Sequence, residues 1–140
     1  MSDKAKTETV TSDSMKVGKE LADLCREGKA MEAVDRLYSP DIVSIEAEAA
    51  GGMPKRMQGL TAVRGKAEWW EKNHETHGAE VEGPWPHGDR FIVRYKFDVT
   101  PKTGAMAGKR MKLDETALYT VADGKVVREE FFYNMDGSGS

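Results

Sequence analysis

The spacing of apolar residues changes along this chain, and that change limits its fold more than any other feature. In the first half, apolar residues recur at helical spacing, first from Val17 to Cys25 and again from Ala30 to Tyr38. Gly28 separates the two stripes, and Pro40 prevents the second helix from continuing. The pattern predicts two amphipathic helices that form a hairpin.

The second half alternates apolar and polar residues, which is typical of strands with one buried face. Arg90–Thr100 shows this most clearly, because every second residue from Phe91 to Val99 is apolar. Further strands are predicted at Ile42–Glu46, Ala79–Trp85, Met111–Val121 and Lys125–Asn134, with a hairpin turn at Ala122-Asp-Gly.

A third helix is predicted after Thr61, a candidate N-cap, with Val63, Ala67 and Trp70 on one side. The order is helix, helix, strand, helix and then four antiparallel strands. This is an α+β layout with the helices on one face of a curved sheet. A concave space between sheet and helices is the expected ligand site.

Charge and cysteine content argue against several classes of protein. The 140 residues include 24 acidic and 21 basic ones, a formal charge of −3 without a basic block, so no nucleic acid is expected as a partner. No apolar run approaches the roughly 18 residues that a membrane span needs, so no membrane is expected either. The single Cys25 excludes an internal disulfide, and the polar first residues lack a signal-like centre, which together favour the cytoplasm.

One domain is expected, over residues 15–135. Residues 1–14 are polar and without periodicity, so we expect a flexible arm. Residues 136–140 are expected to be a flexible tail.

Four segments together resemble one family: Leu37–Ser44, the Gly59 turn with the Trp69–Trp70 helix, Arg90–Tyr95 and Tyr119–Val126. Over about Lys16–Met135 the chain is similar to the SnoaL-like branch of the nuclear transport factor 2-like (ketosteroid isomerase-like) superfamily. The resemblance implies a cone-shaped α+β barrel, in which a curved antiparallel sheet carries three helices on its concave face. It also implies that homodimers through the outer sheet face are common. It implies no single reaction, because the fold serves isomerases, polyketide cyclases, dehydratases, epoxide hydrolases and noncatalytic binding modules.

Ketosteroid isomerase offers a residue test of that resemblance. It uses a carboxylate base on the first strand, with a Tyr and a protonated Asp as oxyanion hole. Aligned through Tyr38–Asp41, the base falls at Glu46, whereas the Tyr falls near Ala22 and the Asp near Ala117. Loss of one oxyanion donor typically lowers the rate about 100- to 1000-fold, so the resemblance argues against the same isomerisation by the same means.

Two acidic residues are placed by strand alternation among apolar neighbours, Glu46 on the first strand and Glu115 on a later one. Apolar surroundings raise the pKa of a carboxyl group, as a general acid or base at neutral pH requires. The alternative is that either acid pairs with Arg94 or Arg128, or lies in water at the sheet rim.

His74 and His77 have a spacing that could hold a metal on a helix, but no third ligand follows, so no metal is predicted. His74 alone is a candidate rim acid or base. No cofactor is predicted, since the Gly59–Ala67 stretch has five residues between its glycines and lacks the Ser or Thr of a phosphate loop. The charges of Lys66–Lys72 predict surface ion pairs on the helix.

Aromatic residues are the candidate walls of a site for a small apolar molecule, although ordinary core packing explains any one of them equally well. The candidates are Trp70, Tyr95, Phe97, Tyr119 and Tyr133. Of Phe131 and Phe132, one lies on the outer sheet face, where an exposed aromatic ring indicates a homodimer contact.

Two functions stay open. The first is a cofactor-independent enzyme of isomerase, cyclase or dehydratase type, with Glu46 as base, Glu115 or His74 as partner and a tyrosine as donor. The second is a noncatalytic ligand-binding or dimeric interaction module.

Overall fold

The structure, a computed structural model, describes residues 2–49 and 52–134, with side chains from residue 13 onward. Within these residues the helices are α1 (Ser2–Arg26), α2 (Ala30–Leu37) and α3 (Leu60–Asn73). The strands are β1 (Tyr38–Ile45), β2 (Arg56–Gln58), β3 (His74–His87), β4 (Arg90–Pro101), β5 (Met111–Ala122) and β6 (Lys125–Phe132). The chain has the predicted α+β layout, with β2 as an additional short strand.

The strands form one curved, open sheet in the order β2-β1-β6-β5-β4-β3. The sheet differs from the expected antiparallel sheet in one pair, because β1 and β6 run parallel. Three successive antiparallel pairs link β3 to β6, and the free edge of β6 then pairs with β1 in the same direction.

Two element boundaries show how local chemistry decides the chain path. β3 begins at His74, directly after α3, rather than at Ala79 as predicted. His74 has extended backbone angles, and pairing with β4 from His74↔Pro101 onward overrides the polar character of this stretch. The predicted hairpin between β5 and β6 is confirmed, with Asp123 and Gly124 both at positive φ.

Helix α1 begins well before the predicted stripe. Its backbone is helical from Ser2, and Ser14 is fully buried, where its Oγ donates to the Gly88 carbonyl at 2.7 Å. This bond lets a polar residue continue the buried stripe that Val17 and Leu21 form. Ser14 therefore belongs to the packed domain rather than to an arm, and the mobility of the residues before it stays a prediction. The predicted tail, 136–140, lies outside the described residues.

The core lies between the inner face of the sheet and the helices. Burial is complete at one end, where Leu21, Ile42, Val63, Phe91 and Val93 are at most 1% exposed. Toward the other end, inner-face side chains such as Phe97 and Phe131 are only partly buried. The inner face is thus tightly packed around the first group and less completely buried around Phe97 and Phe131.

Candidate functional site

On the inner face of the sheet and the facing side of α3 lies a group of partly buried side chains, which we call the rim cluster. It consists of Glu46 after β1, Lys66 and Trp70 on α3, Phe97 on β4, Glu115 on β5, Phe131 on β6 and Tyr133 after β6. Strand alternation places these strand residues on the inner face, as predicted for Glu46 and Glu115.

Glu46 is held from two sides. One carboxylate oxygen, Oε2, accepts from the Lys66 ammonium at 2.5 Å, and the other, Oε1, accepts from the Tyr133 hydroxyl at 2.8 Å. The side chain of Glu46 is 22% exposed and that of Lys66 is 12% exposed. Neither Arg94 nor Arg128 is the partner of Glu46, because Arg94 pairs with Asp114 and Arg128 pairs with Glu130. Both carboxylate oxygens of Glu46 therefore have a hydrogen-bond donor.

Lys66 connects Glu46 to a deeper layer of polar groups. Its ammonium donates to the Ser44 hydroxyl and lies 3.9 Å from the Glu129 carboxylate. It also lies 5.2 Å from the centre of the Phe131 ring, within the range of a cation–π contact. A lysine with four such neighbours differs from the surface residue that its sequence context predicts.

Glu129 is the most deeply buried acid of the site, with 3% exposure. It accepts hydrogen bonds from the hydroxyls of Tyr38 and of Ser44, the latter at 2.6 Å. Burial raises the pKa of Glu129, while the Lys66 charge and the two hydroxyl donors act in the opposite direction. Tyr38 beside it stays protonated, because burial and the Glu129 charge raise the pKa of its phenol.

Glu115, unlike Glu46, has no polar partner among the described residues. Among the described residues it makes no hydrogen bond or ion pair, and its cross-strand neighbour on β4 is Tyr95. Burial raises the pKa of Glu115 to about 8, and the charges of Glu46 and Glu129 add to the rise against an opposing effect of Lys66. Glu115 is therefore mainly protonated at pH 7.

Aromatic rings form the wall beside these acids. Trp70 lies 5.3 Å from Phe97, and Phe97 stacks on Tyr95 at 5.6 Å between ring centres. The hydroxyls of Tyr95 and Tyr119 are 2.7 Å apart in the core, and burial raises the pKa of both phenols. Of the predicted wall residues, Trp70, Phe97 and Tyr133 thus belong to the rim cluster, while Tyr95 and Tyr119 are buried in the core at 5% and 2% exposure.

The structure does not bring His74 into contact with Glu46 or Glu115. Its ring stacks on Trp70 at 4.2 Å, and Nδ1 lies 2.8 Å from the Trp70 carbonyl oxygen. His77 is exposed and its Nε2 lies 2.7 Å from Thr100 Oγ1. Within the described part of the chain, no three His, Cys, Asp or Glu residues are arranged to hold a metal.

Lys66, Glu129 and Tyr38 were not among the residues predicted from the sequence. Lys66 lies three residues after Val63 and four before Trp70, so the helical spacing that selected those two residues also applies to it. Glu129 shares the alternation of Phe131 and Tyr133, so the pattern that selected Tyr133 also applies to it, but its acidic character argues for an exposed position instead.

Two surface depressions lie elsewhere. One, of about 630 Å³, is lined by Asp98, Arg110, Met111 and Lys112, and the other, of about 210 Å³, lies between α1 and the β5–β6 turn. Neither is lined by a residue of the rim cluster.

Among the described helices, none is long and apolar enough to cross a membrane.

The arrangement can support proton transfer. Two carboxyl groups lie near enough for their charges to interact, and one is ion-paired while the other holds its proton at neutral pH. Carboxyl groups whose surroundings separate their protonation states in this way can act as base and acid on one ligand. Ala22 and Ala117, at the positions aligned with the oxyanion donors of ketosteroid isomerase, are fully buried and offer no donor side chain.

Comparisons with known proteins support this fold. A family model for the SnoaL-like domain matches residues 12–133. The crystal structure of a candidate SnoaL-like polyketide cyclase from Mesorhizobium loti, which also carries the name carbohydrate phosphatase, is 40% identical in sequence. The match covers 85% of this chain and 97% of that chain with a TM-score of 0.78.

More distant structures share the fold alone. A candidate isomerase from Bacillus subtilis is 16% identical, with 89% of this chain and 88% of that chain covered and a TM-score of 0.69. A ketosteroid isomerase-like protein from Catenulispora acidiphila, solved in complex with trimethylamine, is 14% identical, with 84% of each chain covered and a TM-score of 0.64. No curated protein matches this chain in sequence.

Proposed function

This chain belongs to the SnoaL-like family, and from that premise we propose that it binds a small, mostly apolar carbonyl or ring compound at the rim cluster and catalyses cofactor-independent proton transfer on it. The reaction class is isomerisation, cyclisation or dehydration. The observation that carries the proposal is the pair of neighbouring acids, Glu46 ion-paired and Glu115 protonated.

In this proposal Glu46 is the base. It removes a proton from a carbon next to the ligand carbonyl, and the negative charge that develops moves to the carbonyl oxygen. Glu115 is protonated at neutral pH and donates a hydrogen bond or its proton to that oxygen. Trp70 and Phe97 offer a flat apolar wall for the ring, and the Tyr133 hydroxyl keeps the Glu46 carboxylate oriented.

In this proposal Glu115 also replaces the oxyanion donors of ketosteroid isomerase that this chain lacks. It lies two residues before Ala117 on the same face of β5. A protonated carboxyl group is therefore available at the inner-face position next to Ala117, which aligns with the oxyanion Asp of ketosteroid isomerase. The name of the Mesorhizobium loti relative, a candidate polyketide cyclase, fits chemistry on a carbonyl-rich ring.

Hydrogen–deuterium exchange at carbon tests the proposal without knowledge of the natural substrate. The protein is incubated in D₂O with a panel of small cyclic ketones and 1,3-dicarbonyl compounds, and proton NMR follows the loss of the C–H signal. The wild type should accelerate exchange in at least one compound, and Glu46→Gln should lower the rate at least about 100-fold, because it removes the base.

Glu48→Gln is the matched control, since Glu48 is exposed and lies two residues after Glu46. It should exchange at the wild-type rate. An exchange rate that is the same in Glu46→Gln as in the wild type would overturn the assignment of the base.

A noncatalytic ligand-binding module is the second candidate, and one observation favours it. Both oxygens of Glu46 already accept hydrogen bonds, from Lys66 and Tyr133, so a ligand would have to share or displace one of these contacts. Compounds that bind to the rim cluster in NMR titrations, but whose C–H signals persist in D₂O, would support this candidate against the enzyme.

We also propose that the protein is a homodimer through the outer sheet face. Phe132 on β6 and Trp85 on β3 are 53% and 48% exposed, whereas Phe131 packs against the core. Ile92 and Leu118 lie between them on the same outer face of the sheet.

We further propose a cytoplasmic location, because the one cysteine, Cys25, forms no disulfide.

A further inference from the structure

We infer that Lys66 is the positioning residue of this site: anchored by Ser44 and Glu129 and packed on Phe131, its ammonium holds the Glu46 carboxylate in place and couples it electrostatically to Glu115. The catalytic meaning of this role rests on the function proposed above, whereas the electrostatic coupling is a property of the protein alone. The sequence pattern predicts only a surface ion pair for Lys66.

The first support is the geometry of the ammonium group. Lys66 Nζ lies 2.5 Å from Glu46 Oε2, donates to Ser44 Oγ and is 3.9 Å from Glu129. The ammonium has three N–H donors, and these contacts surround it with acceptors while the Phe131 ring covers another side. The group is therefore fixed in position rather than free to move in solvent.

The second support is the balance of charge around Lys66. From β1 it faces Glu46 and Ser44, from β6 Glu129, and from β5 Glu115. Tyr133 completes the group through its bond to Glu46. Among the described residues, Lys66 is the one cation that contacts the carboxylates of this group, so the three acids share a single positive charge.

The third support is a contrast within the same helix. Lys72 also lies on α3 and pairs with Glu68 at 2.9 Å, but its side chain is 71% exposed against 12% for Lys66. Exposed pairs of this kind contribute little, because water screens them and both side chains stay mobile. Lys72 is therefore a matched control for the loss of a lysine from α3.

The experiment measures the titration of Glu115 by NMR of protein labelled with ¹³C at the glutamate carboxyl groups. In the wild type the midpoint is expected near pH 8. Lys66 lowers the pKa of Glu115. Lys66→Met should therefore raise this midpoint, because an opposing charge is lost. Lys66→Arg, which keeps the charge, should leave the midpoint closer to the wild-type value, and Lys72→Met should leave it unchanged. A midpoint that does not move in Lys66→Met would overturn the inference.

A second measurement needs no variant, in case Lys66→Met does not fold. In the wild type, ¹⁵N NMR of lysine ammonium groups should show a Lys66 signal whose protons exchange with water at least about tenfold more slowly than those of Lys72, because its donors are occupied. Equal exchange for the two lysines would overturn the inference. Neither NMR measurement depends on catalysis. If the wild type does not accelerate hydrogen–deuterium exchange at carbon, the proposed function is refuted. The inference about Lys66 is then still tested by the Glu115 titration and the ammonium exchange rates.

Discussion

Glu46 and Glu115 have the same side chain but different neighbours. Glu46 has an ammonium at 2.5 Å and a phenol at 2.8 Å, whereas Glu115 has neither among the described residues. Burial then raises the pKa of Glu115 to about 8. At the residue scale, the proposed chemistry therefore depends on neighbours supplied by α3 and by the segment after β6.

The raised pKa of Glu115 predicts how stability depends on pH. Between about pH 4.5, where this group titrates in an unfolded chain, and about pH 8, the folded state holds a proton that the unfolded state has lost. Stability contributed by protonated Glu115 is thus complete below this range and decreases as pH rises through it. Relative to the wild type, Glu115→Gln should be more stable at pH 8 than at pH 5, as urea unfolding at both pH values measures.

The control for this prediction is Glu80→Gln, since Glu80 is exposed on β3. Its stability relative to the wild type should be the same at both pH values. If the stability difference between Glu115→Gln and the wild type is also the same at pH 5 and pH 8, Glu115 is charged at neutral pH and cannot be the proposed acid.

Removal of one donor from the most buried acid should destabilise the fold. Tyr38→Phe leaves Glu129, which is 3% exposed, with one hydroxyl donor fewer. A buried group left short of a hydrogen bond costs about 1–3 kcal/mol, so the free energy of unfolding should fall by that amount in denaturant titrations. Tyr133→Phe deletes the same hydroxyl at a partly exposed site where Lys66 still pairs with Glu46, and its loss should be smaller. Equal losses in the two variants would contradict this account of Glu129.

At the scale of elements, α1 lies close against the sheet because of one glycine. A Cβ atom at Gly18 would lie 3.1 Å from Phe91 Cγ and 3.1 Å from Pro84 Cβ. Phe91 is fully buried and has no free space into which to move. The absence of a side chain at Gly18 therefore sets the distance between α1 and strands β3 and β4.

Gly18→Ala should accordingly lower the free energy of unfolding by about 1 kcal/mol, because the overpacking outweighs the better helix propensity of alanine. Gly65→Ala is the matched control on α3, where a Cβ would meet nothing within 4 Å. It should raise the free energy of unfolding by about 0.5–1 kcal/mol. Thermal unfolding of both variants checks the prediction, and a stabilised Gly18→Ala would refute the close packing.

At the scale of the whole molecule, the two faces of the sheet have different roles. The inner face carries the core and the rim cluster, while the outer face exposes Trp85 and Phe132 at 48% and 53%. Exposed aromatic residues on a broad sheet face are favourable for association, because a second copy can cover them.

Phe132→Glu and Trp85→Glu should therefore shift the protein from dimer to monomer in size-exclusion chromatography with light scattering, since each places a charge in the proposed contact. The control is Met106→Glu, because Met106 is equally exposed at 47% but lies in the β4–β5 connection. It should remain dimeric. A wild-type protein that elutes with the mass of a monomer would rule out the outer-face dimer.

The sequence by itself determined most of the elements and which of their faces is buried. Helical spacing and strand alternation are local properties, so they predicted α1 to α3, the alternating strands and the inward direction of Glu46 and Glu115. The family resemblance predicted the same α+β fold. Local patterns failed where pairing between distant segments decides the outcome, as in the parallel β1–β6 pair, the early start of β3 and the short β2.

Only the tertiary structure decided which charged groups meet. Lys66 precedes Glu129 by more than sixty positions in sequence, yet their charged groups lie 3.9 Å apart. A pKa or an ion pair depends on distances and burial across α3, β1, β5 and β6, which no local pattern contains. The spacing of residues along the chain therefore identified the acids, while the fold determined which acid is paired and which one holds its proton.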